Sequence, residues 1–342
     1  MSFATDFQNE TKRQEMRGRC LHFADGVRCN EIINAHSIQK SGQLNLLAEN
    51  GHVYRLNADF STLRDNEGIP APKKIGVRKA SIFAGFCKHH DNALFEPIDN
   101  KPLGPSKLQV ALYAYRCLCR EYFVKANAVE LMRRLKDHSD IDQNSRKMLE
   151  SALIGNTLGL GSLEYQKSHY DAALRLCEYE EFEFTYFTSK SRCSLQLSGL
   201  LYPDFDFIGR RLQSLGDCSA PLDMITFFTA PTIEGWAFAF AWHRSSNRTC
   251  LPFIKSLAQR IGSGESAHDV LLRFSFSTCE NHALRISWWD LLADDEKRKV
   301  AERVILMIHP QMPIPSNYLM GGLEGLADWE FENVQTTLHT EL

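Results

Sequence analysis

Two pairs of potential metal ligands, far apart in the chain, constrain its folding more than any other sequence feature. Cys20 and Cys29 form the first pair, and Cys87 and His90 form the second in a Cys-x-x-His step. Three thiolates and one imidazole are a donor set that suits tetrahedral Zn²⁺. These residues therefore predict a structural zinc site that ties the two segments together, and their chance occurrence is the alternative. His89 could replace His90, but the Cys-x-x-His spacing lets Cys87 and His90 bind from one turn.

The composition is that of an ordinary globular protein. The 342 residues are 44% hydrophobic and 24% charged, and a chain of this length exceeds the usual size of a single core. No stretch reaches the ~20 apolar residues that span a bilayer, and residues 1–18 lack the apolar core of a signal peptide. We therefore expect a cytoplasmic protein without a membrane partner, whose ten cysteines are mostly reduced.

Charge is distributed unevenly along the chain. Up to Asp140 there are 21 Lys and Arg against 16 Asp and Glu, and the remainder has 18 against 26. A basic first part is typical of a protein that meets an anionic partner such as DNA or RNA, whereas the acidic second part could recruit a protein. Chance fluctuation is the alternative. The candidate nucleic-acid-binding residues lie between the two ligand pairs: Lys73, Lys74, Arg78 and Lys79.

Hydrophobic periodicity divides the chain into three regions and predicts the α+β class. Residues 1–104 hold the zinc-binding module, with a turn at Asn50-Gly51 and a loop over 56–78. Residues 105–180 predict helices over 107–138, 143–158 and 162–179, the last two separated by Gly159 and Gly161. Residues 181–342 predict a mixed, β-rich α+β domain with strands over 181–188, 194–201 and 270–277 and a β-hairpin over 223–243. Both faces of 236–242 are apolar, which indicates a central strand covered on both sides.

Residues 19–96 resemble the zinc-stapled nucleases of the HNH, or ββα-metal, class. Cys20 and Cys29 match the first zinc knuckle, and Cys87 and His90 match the second. His36, in the apolar run IINAHSI, falls where the catalytic histidine follows the first knuckle. Asp91 falls where the last histidine of the motif stands. The sequence also resembles a group of uncharacterised bacterial proteins that share the elements AHSIQ, GHVY, FAGFC-x-x-HD and AYR.

The resemblance implies a treble-clef module and a metal-dependent nuclease that acts on DNA or RNA, in a setting such as bacterial phage defence. It makes His36 the general base that activates water and Asp91 a ligand for a catalytic Mg²⁺ or Mn²⁺. This sequence departs from the pattern in three ways. The first knuckle is Cys-x8-Cys, the second contains a histidine, and the asparagine expected shortly before Cys87 is absent. These departures predict weak cleavage or activation by a partner.

Several alternatives remain open at this point. The whole module could be a non-catalytic, zinc-stapled platform for nucleic acid or protein. His36 could be a buried histidine bonded to a backbone carbonyl, and Asp91 could cap a helix. Two further patterns have weaker functional interpretations: an Arg133–His138 step similar to HEPN ribonucleases, and a Trp288-Trp289 pair that could line a pocket with Glu280 and Asn281.

Overall fold

A computed structural model describes residues 2–217, 219–308 and 313–338, which confirm the α+β class. This part of the chain contains ten α-helices and ten β-strands in two antiparallel sheets. The helices are α1 (Phe3–Met16), α2 (Asn45–Leu47), α3 (Phe60–Asp65), α4 (Lys88–Phe95), α5 (Lys107–Leu135), α6 (Gln143–Leu176), α7 (Asn247–Gly262), α8 (Ala267–Thr278), α9 (Ile286–Leu291) and α10 (Asp294–Ile308). The strands are β1 (Ile32–His36), β2 (His52–Asn57), β3 (Ala71–Gly76), β4 (Ile82–Cys87), β5 (Phe182–Ser189), β6 (Leu195–Leu201), β7 (Ile225–Pro231), β8 (Trp236–His243), β9 (His282–Leu284) and β10 (Asn333–Thr336). None of these described helices is long and apolar enough to cross a membrane.

The small sheet and the helix after it form one compact unit. Strands β1 and β4 are antiparallel, and α4 begins directly after β4; we call β1, β4 and α4 the ββα unit. On the other side of β4, the backbone N–H groups of Arg19 and Leu21 donate to Ala84 and Gly85 at 3.0 and 2.9 Å. Strand β4 therefore lies between β1 and the segment that carries Cys20.

The large sheet has eight strands in the order β10-β5-β8-β7-β6-β9-β2-β3. The hairpin β2–β3 comes from the N-terminal region and joins the C-terminal strands through the short strand β9, where Tyr54 pairs with Leu284. Asn50 and Gly51 begin this hairpin at positive φ, +51° and +73°, as expected for a tight Asn-Gly turn. The large sheet thus crosses the predicted boundaries at residues 104 and 180, and the three-domain division stays a prediction.

Helix α5 lies between the ββα unit and the large sheet. Strand β8 is buried along its whole length, which agrees with the prediction of a central covered strand. Its alanines, Ala237, Ala239 and Ala241, belong to the core on the α5 side, and their small size lets the helix approach. Its aromatic residues belong to the opposite core, with α7 and α8. The layers are therefore the ββα unit, α5, the sheet, and the α7–α8 layer.

Three predicted elements differ from the structure. Helix α6 continues through Gly159 and Gly161, because it packs along α5, with Lys125 donating to Asn156 at 3.1 Å. The segment 270–277, predicted as a strand, belongs to α8 and is buried on all sides, so its apolar pattern has no clear period. The predicted loop over 56–78 contains α3 and β3 instead.

The continuity of α6 predicts that Gly161→Ala stabilises the protein. A Cβ atom at this exposed position meets no other atom within 4 Å, and alanine favours a helix interior over glycine by about 0.5–1 kcal/mol. Urea unfolding should show a gain of about this size. Gly68→Ala is the matched control: its Cβ also has open space, but its φ of +83° makes alanine strained, so the same measurement should show a loss. A loss at Gly161 would contradict the continuous helix.

Candidate metal centre

Three segments around β4 place the predicted zinc ligands. Cys87 is the last residue of β4 and caps α4, where its Sγ accepts from the His90 N–H at 3.5 Å. His90 lies in the first turn of α4, and Cys20 lies on the segment beside β4. Cys29 comes from a loop that is fixed to α4, because the Lys88 N–H donates to the Glu31 carbonyl at 2.8 Å.

The four ligand atoms meet in one cluster. His90 Nδ1 lies 3.3 Å from Cys20 Sγ and 3.4 Å from the Sγ atoms of Cys29 and Cys87. All four atoms lie within 4.8 Å of one another. Zn–S and Zn–N bonds of about 2.3 and 2.0 Å in a tetrahedron place sulfur and nitrogen about 3.5 Å apart. The Cys₃His cluster therefore fits a zinc ion, and it is the one group of three or more such side chains among the described residues.

Burial and charge also suit a bound dication. Cys20, Cys87 and His90 are buried, whereas Cys29 is exposed. Burial raises the pKa of Cys20, so its thiol stays protonated unless a nearby cation favours the thiolate. Burial, with a smaller effect of His89, lowers the pKa of His90, which keeps the imidazole neutral near pH 7. A neutral imidazole is the form that binds metal.

His22 covers the cluster and was not expected to contribute to the site. Its ring stacks on His90 with centroids 4.1 Å apart and planes 1° from parallel. Burial, followed by the charge of His90, lowers the pKa of His22 to about 4. The signal available in the sequence is weak: a histidine two residues after Cys20. The stacked ring therefore packs directly against one of the four candidate ligands.

The predicted general base, His36, ends β1 beside the turn that precedes β4. Its Nδ1 lies 3.0 Å from the Ala80 carbonyl oxygen, so the N–H on Nδ1 donates to it. Within the described part of the chain its Nε2 has no hydrogen-bond partner, and this atom is not among the polar atoms sealed from solvent. Burial lowers the pKa of His36, and the charges of Arg116 and Lys40 add to this effect. His36 is thus a neutral imidazole with a free acceptor nitrogen, and a backbone carbonyl orients it where the resemblance expects an asparagine.

The predicted catalytic ligand, Asp91, lies in the first turn of α4. Cys87, not Asp91, caps this helix. The Oδ1 of Asp91 is buried and has no hydrogen-bond partner among the described residues. Burial raises the pKa of the carboxyl group, while the charge of Arg116 lowers it. Among the described residues, His36 and Asp91 belong to no cluster of three possible metal ligands. The structure therefore places the charge of Arg116 near Asp91, and the role of Asp91 as a metal ligand stays a prediction.

The predicted nucleic-acid-binding residues are all exposed; we call Lys73, Lys74, Arg78 and Lys79 the basic group. Within the described chain, none of them forms an ion pair. Lys73 pairs with Arg55 and Lys74 with Tyr54 across the β2–β3 hairpin, so the two lysines point to opposite faces. The other two residues lie in the turn that ends at Ala80, next to His36.

The weaker functional patterns have structural explanations. His138 lies beyond the end of α5 and bonds to Asp6, with Nε2 3.1 Å from the carboxylate. Trp288 and Trp289 are buried in the core, and the Trp288 N–H donates to the Leu326 carbonyl at 3.1 Å. Neither pattern therefore adds a candidate site.

Comparison with known proteins finds no match: no protein-family model, no curated protein and no solved structure matches the chain. The assignment of a function rests on the residues and their geometry alone.

The metal centre predicts one zinc per chain in protein purified without added zinc. Cys87→Ser should lose the metal and lower the free energy of unfolding by roughly 3 kcal/mol or more, because metal binding is coupled to folding. Metal analysis by mass spectrometry and urea unfolding measure the two effects. The exposed Cys177 is the control, and Cys177→Ser should keep the zinc. A folded, metal-free wild-type protein would contradict the assignment.

Proposed function

We propose that the protein binds nucleic acid through the basic group, which lies on β3 of the large sheet and on the turn that leads into β4 of the zinc-stapled ββα unit. The observation that carries this proposal is the group of exposed cations without an acidic partner on β3 and the turn after it. Exposed cations on a folded surface are usually balanced by nearby carboxylates, and a set that is not balanced attracts polyanions. A treble-clef assignment of the ββα unit, with the Cys₃His cluster as its zinc site, would agree with this function.

The position of the basic group suits an extended anionic strand. Strand β3 is the last strand of the large sheet, and no other described strand pairs with its outer edge. A phosphate backbone that follows this edge reaches side chains on both faces, which accommodates the opposite directions of Lys73 and Lys74. Arg78 and Lys79 continue the surface beyond the strand and line a depression of about 420 Å³ with His52.

The proposal predicts binding that weakens steeply with salt. Each phosphate contact contributes about −0.9 to the slope of log affinity against log salt for duplex DNA, and about −0.7 for single strands. Changing the four residues of the basic group to glutamate should abolish binding of labelled DNA and RNA in fluorescence anisotropy.

The control variant reverses the charge at four other exposed Lys and Arg residues, which form no ion pair within the described chain. It changes Lys12, Lys147, Lys255 and Arg298 to glutamate. Equal losses from both quadruple variants would indicate a non-specific effect of net charge. Absence of binding by the wild-type protein at low salt would favour a protein partner for the acidic C-terminal part.

A second candidate function is phosphodiester hydrolysis by an HNH-like site, which would suit bacterial phage defence. The specific observation is the neutral His36, whose free Nε2 can take a proton from water beside the basic turn. A Mg²⁺ or Mn²⁺ ion held by Asp91 would polarise the phosphate. The charge of Arg116 near Asp91 disfavours a dication there, so this candidate stands second to binding alone.

If the protein cleaves nucleic acid, His36→Ala should lower the rate by roughly 10²–10⁴ while zinc content and fold are kept. Because burial lowers the pKa of His36, the active neutral form persists below the ordinary pKa of about 6.5. The rate should therefore rise with pH only in the acid range and be level above it. Plasmid nicking with Mg²⁺ or Mn²⁺ measures this. Asp91→Asn should abolish cleavage or change the metal requirement, and an unchanged rate in His36→Ala would exclude the mechanism.

A further inference from the structure

Among the described residues, the guanidinium group of Arg55, on β2, has no hydrogen-bond or ion-pair partner. Its Nε is sealed from solvent and makes no hydrogen bond. Within the described residues, Arg55 also forms no ion pair. An arginine carries five N–H donors, and a buried donor without an acceptor is costly. The two Nη groups of Arg55 are not among the sealed atoms, so they are the donors that an acceptor from outside can reach.

A second arginine reinforces the positive charge at this place. Burial lowers the pKa of Arg55, and the nearby charge of Arg120, on α5, lowers it further. Arg120 itself is paired with its neighbour Glu121. Glu280 and Glu15 are close enough for their charges to attract Arg55, yet neither forms an ion pair with it.

The register of the hairpin connects this place to the basic group. Arg55 lies directly opposite Lys73 in the β2–β3 ladder, so both side chains are on the same face. Lys73 is exposed, whereas Arg55 is partly buried beside the helices. An anion guided by Lys73 along the sheet edge therefore arrives at Arg55.

We propose that Arg55 binds one phosphate group of the nucleic-acid strand that follows β3. This inference rests on the proposed nucleic-acid binding and gives it a specific contact below the surface. The guanidinium fork suits two phosphate oxygens at once. The phosphate oxygens would accept from the Nη groups of Arg55, for which the described residues supply no acceptor.

The test compares Arg55→Met with the wild-type protein. Methionine keeps most of the apolar volume and removes the unpartnered charge, so the fold should be kept. The first measurement is the thermal midpoint in increasing inorganic phosphate, with chloride at matched ionic strength. Phosphate should stabilise the wild-type protein, and its affinity for Arg55→Met should be about tenfold weaker. Arg64→Met is the control, because Arg64 is exposed in the same hairpin and paired with Asp65 at 2.8 Å.

The second measurement is the salt dependence of DNA binding. Arg55→Met should reduce the log–log slope by about 0.9 on duplex DNA, the loss of one phosphate contact, and Arg64→Met should leave it unchanged. Glu280→Gln supplies an effect of opposite sign: removing this exposed carboxylate should strengthen phosphate binding, because it no longer repels the anion.

The outcomes separate the site from the proposed function. Phosphate stabilisation that depends on Arg55, without any DNA or RNA binding, supports the anion site and rejects nucleic-acid binding. DNA binding with an unchanged slope in Arg55→Met, and an equal phosphate response in both proteins, rejects the site and leaves the function standing. Equal destabilisation by Arg55→Met and Glu280→Gln, with no further loss in the double variant, would show a structural ion pair and overturn the inference.

Discussion

The junction between the ββα unit and α5 depends on one buried charge, that of Arg116. Residues 110–119 of α5 are buried on all sides, so the guanidinium cannot reach bulk water. It is compensated by Asp99, 2.9 Å from Nη2, and by the face of Phe95, 4.0 Å from the guanidinium carbon. The Gln39 amide donates to the same Asp99 oxygen at 2.9 Å. A buried cation is tolerated only with such partners, since losing one typically costs about 3–5 kcal/mol. The packing of the N-terminal region on α5 therefore has a polar centre within an apolar layer.

This polar centre also explains how the sequence motifs are related. AHSIQ contains His36 and Gln39, the helix α4 carries Asp91, and AYR ends with Arg116. The charge of Arg116 acts on both His36 and Asp91. The metal ligands were predictable because Cys87 and His90 lie in one turn and their chemistry is restrictive. The convergence on Arg116 was not predictable, because it requires knowledge of how α5 packs against segments far away in the chain.

The elements of the fold that could be predicted from the sequence are likewise those that depend on nearby residues. Long amphipathic helices, the Asn-Gly turn and the apolar strand β8 follow from local patterns. Helix α8 could not be predicted in this way. Val270 and its neighbours through Ser277 are buried on every side, so their apolar pattern lacks the helical period. No local sequence pattern predicts that β2 and β3 join the large sheet. It depends on β9, a three-residue strand that joins β2 to β6.

The metal centre and His36 lie at opposite ends of the β1–β4 ladder, and this separation assigns them different roles. Ile32 pairs with Cys87 at the metal end, and His36 pairs with Ile82 at the other. Four residues of strand span roughly 13 Å, so a zinc ion on Cys87 is too far away to polarise a phosphate at His36. What the metal can do is fix the register. A shift by one residue would turn His36 to the other face of the strand and remove it from the Ala80 carbonyl. The zinc site therefore acts on any chemistry at His36 only through the geometry of the two strands.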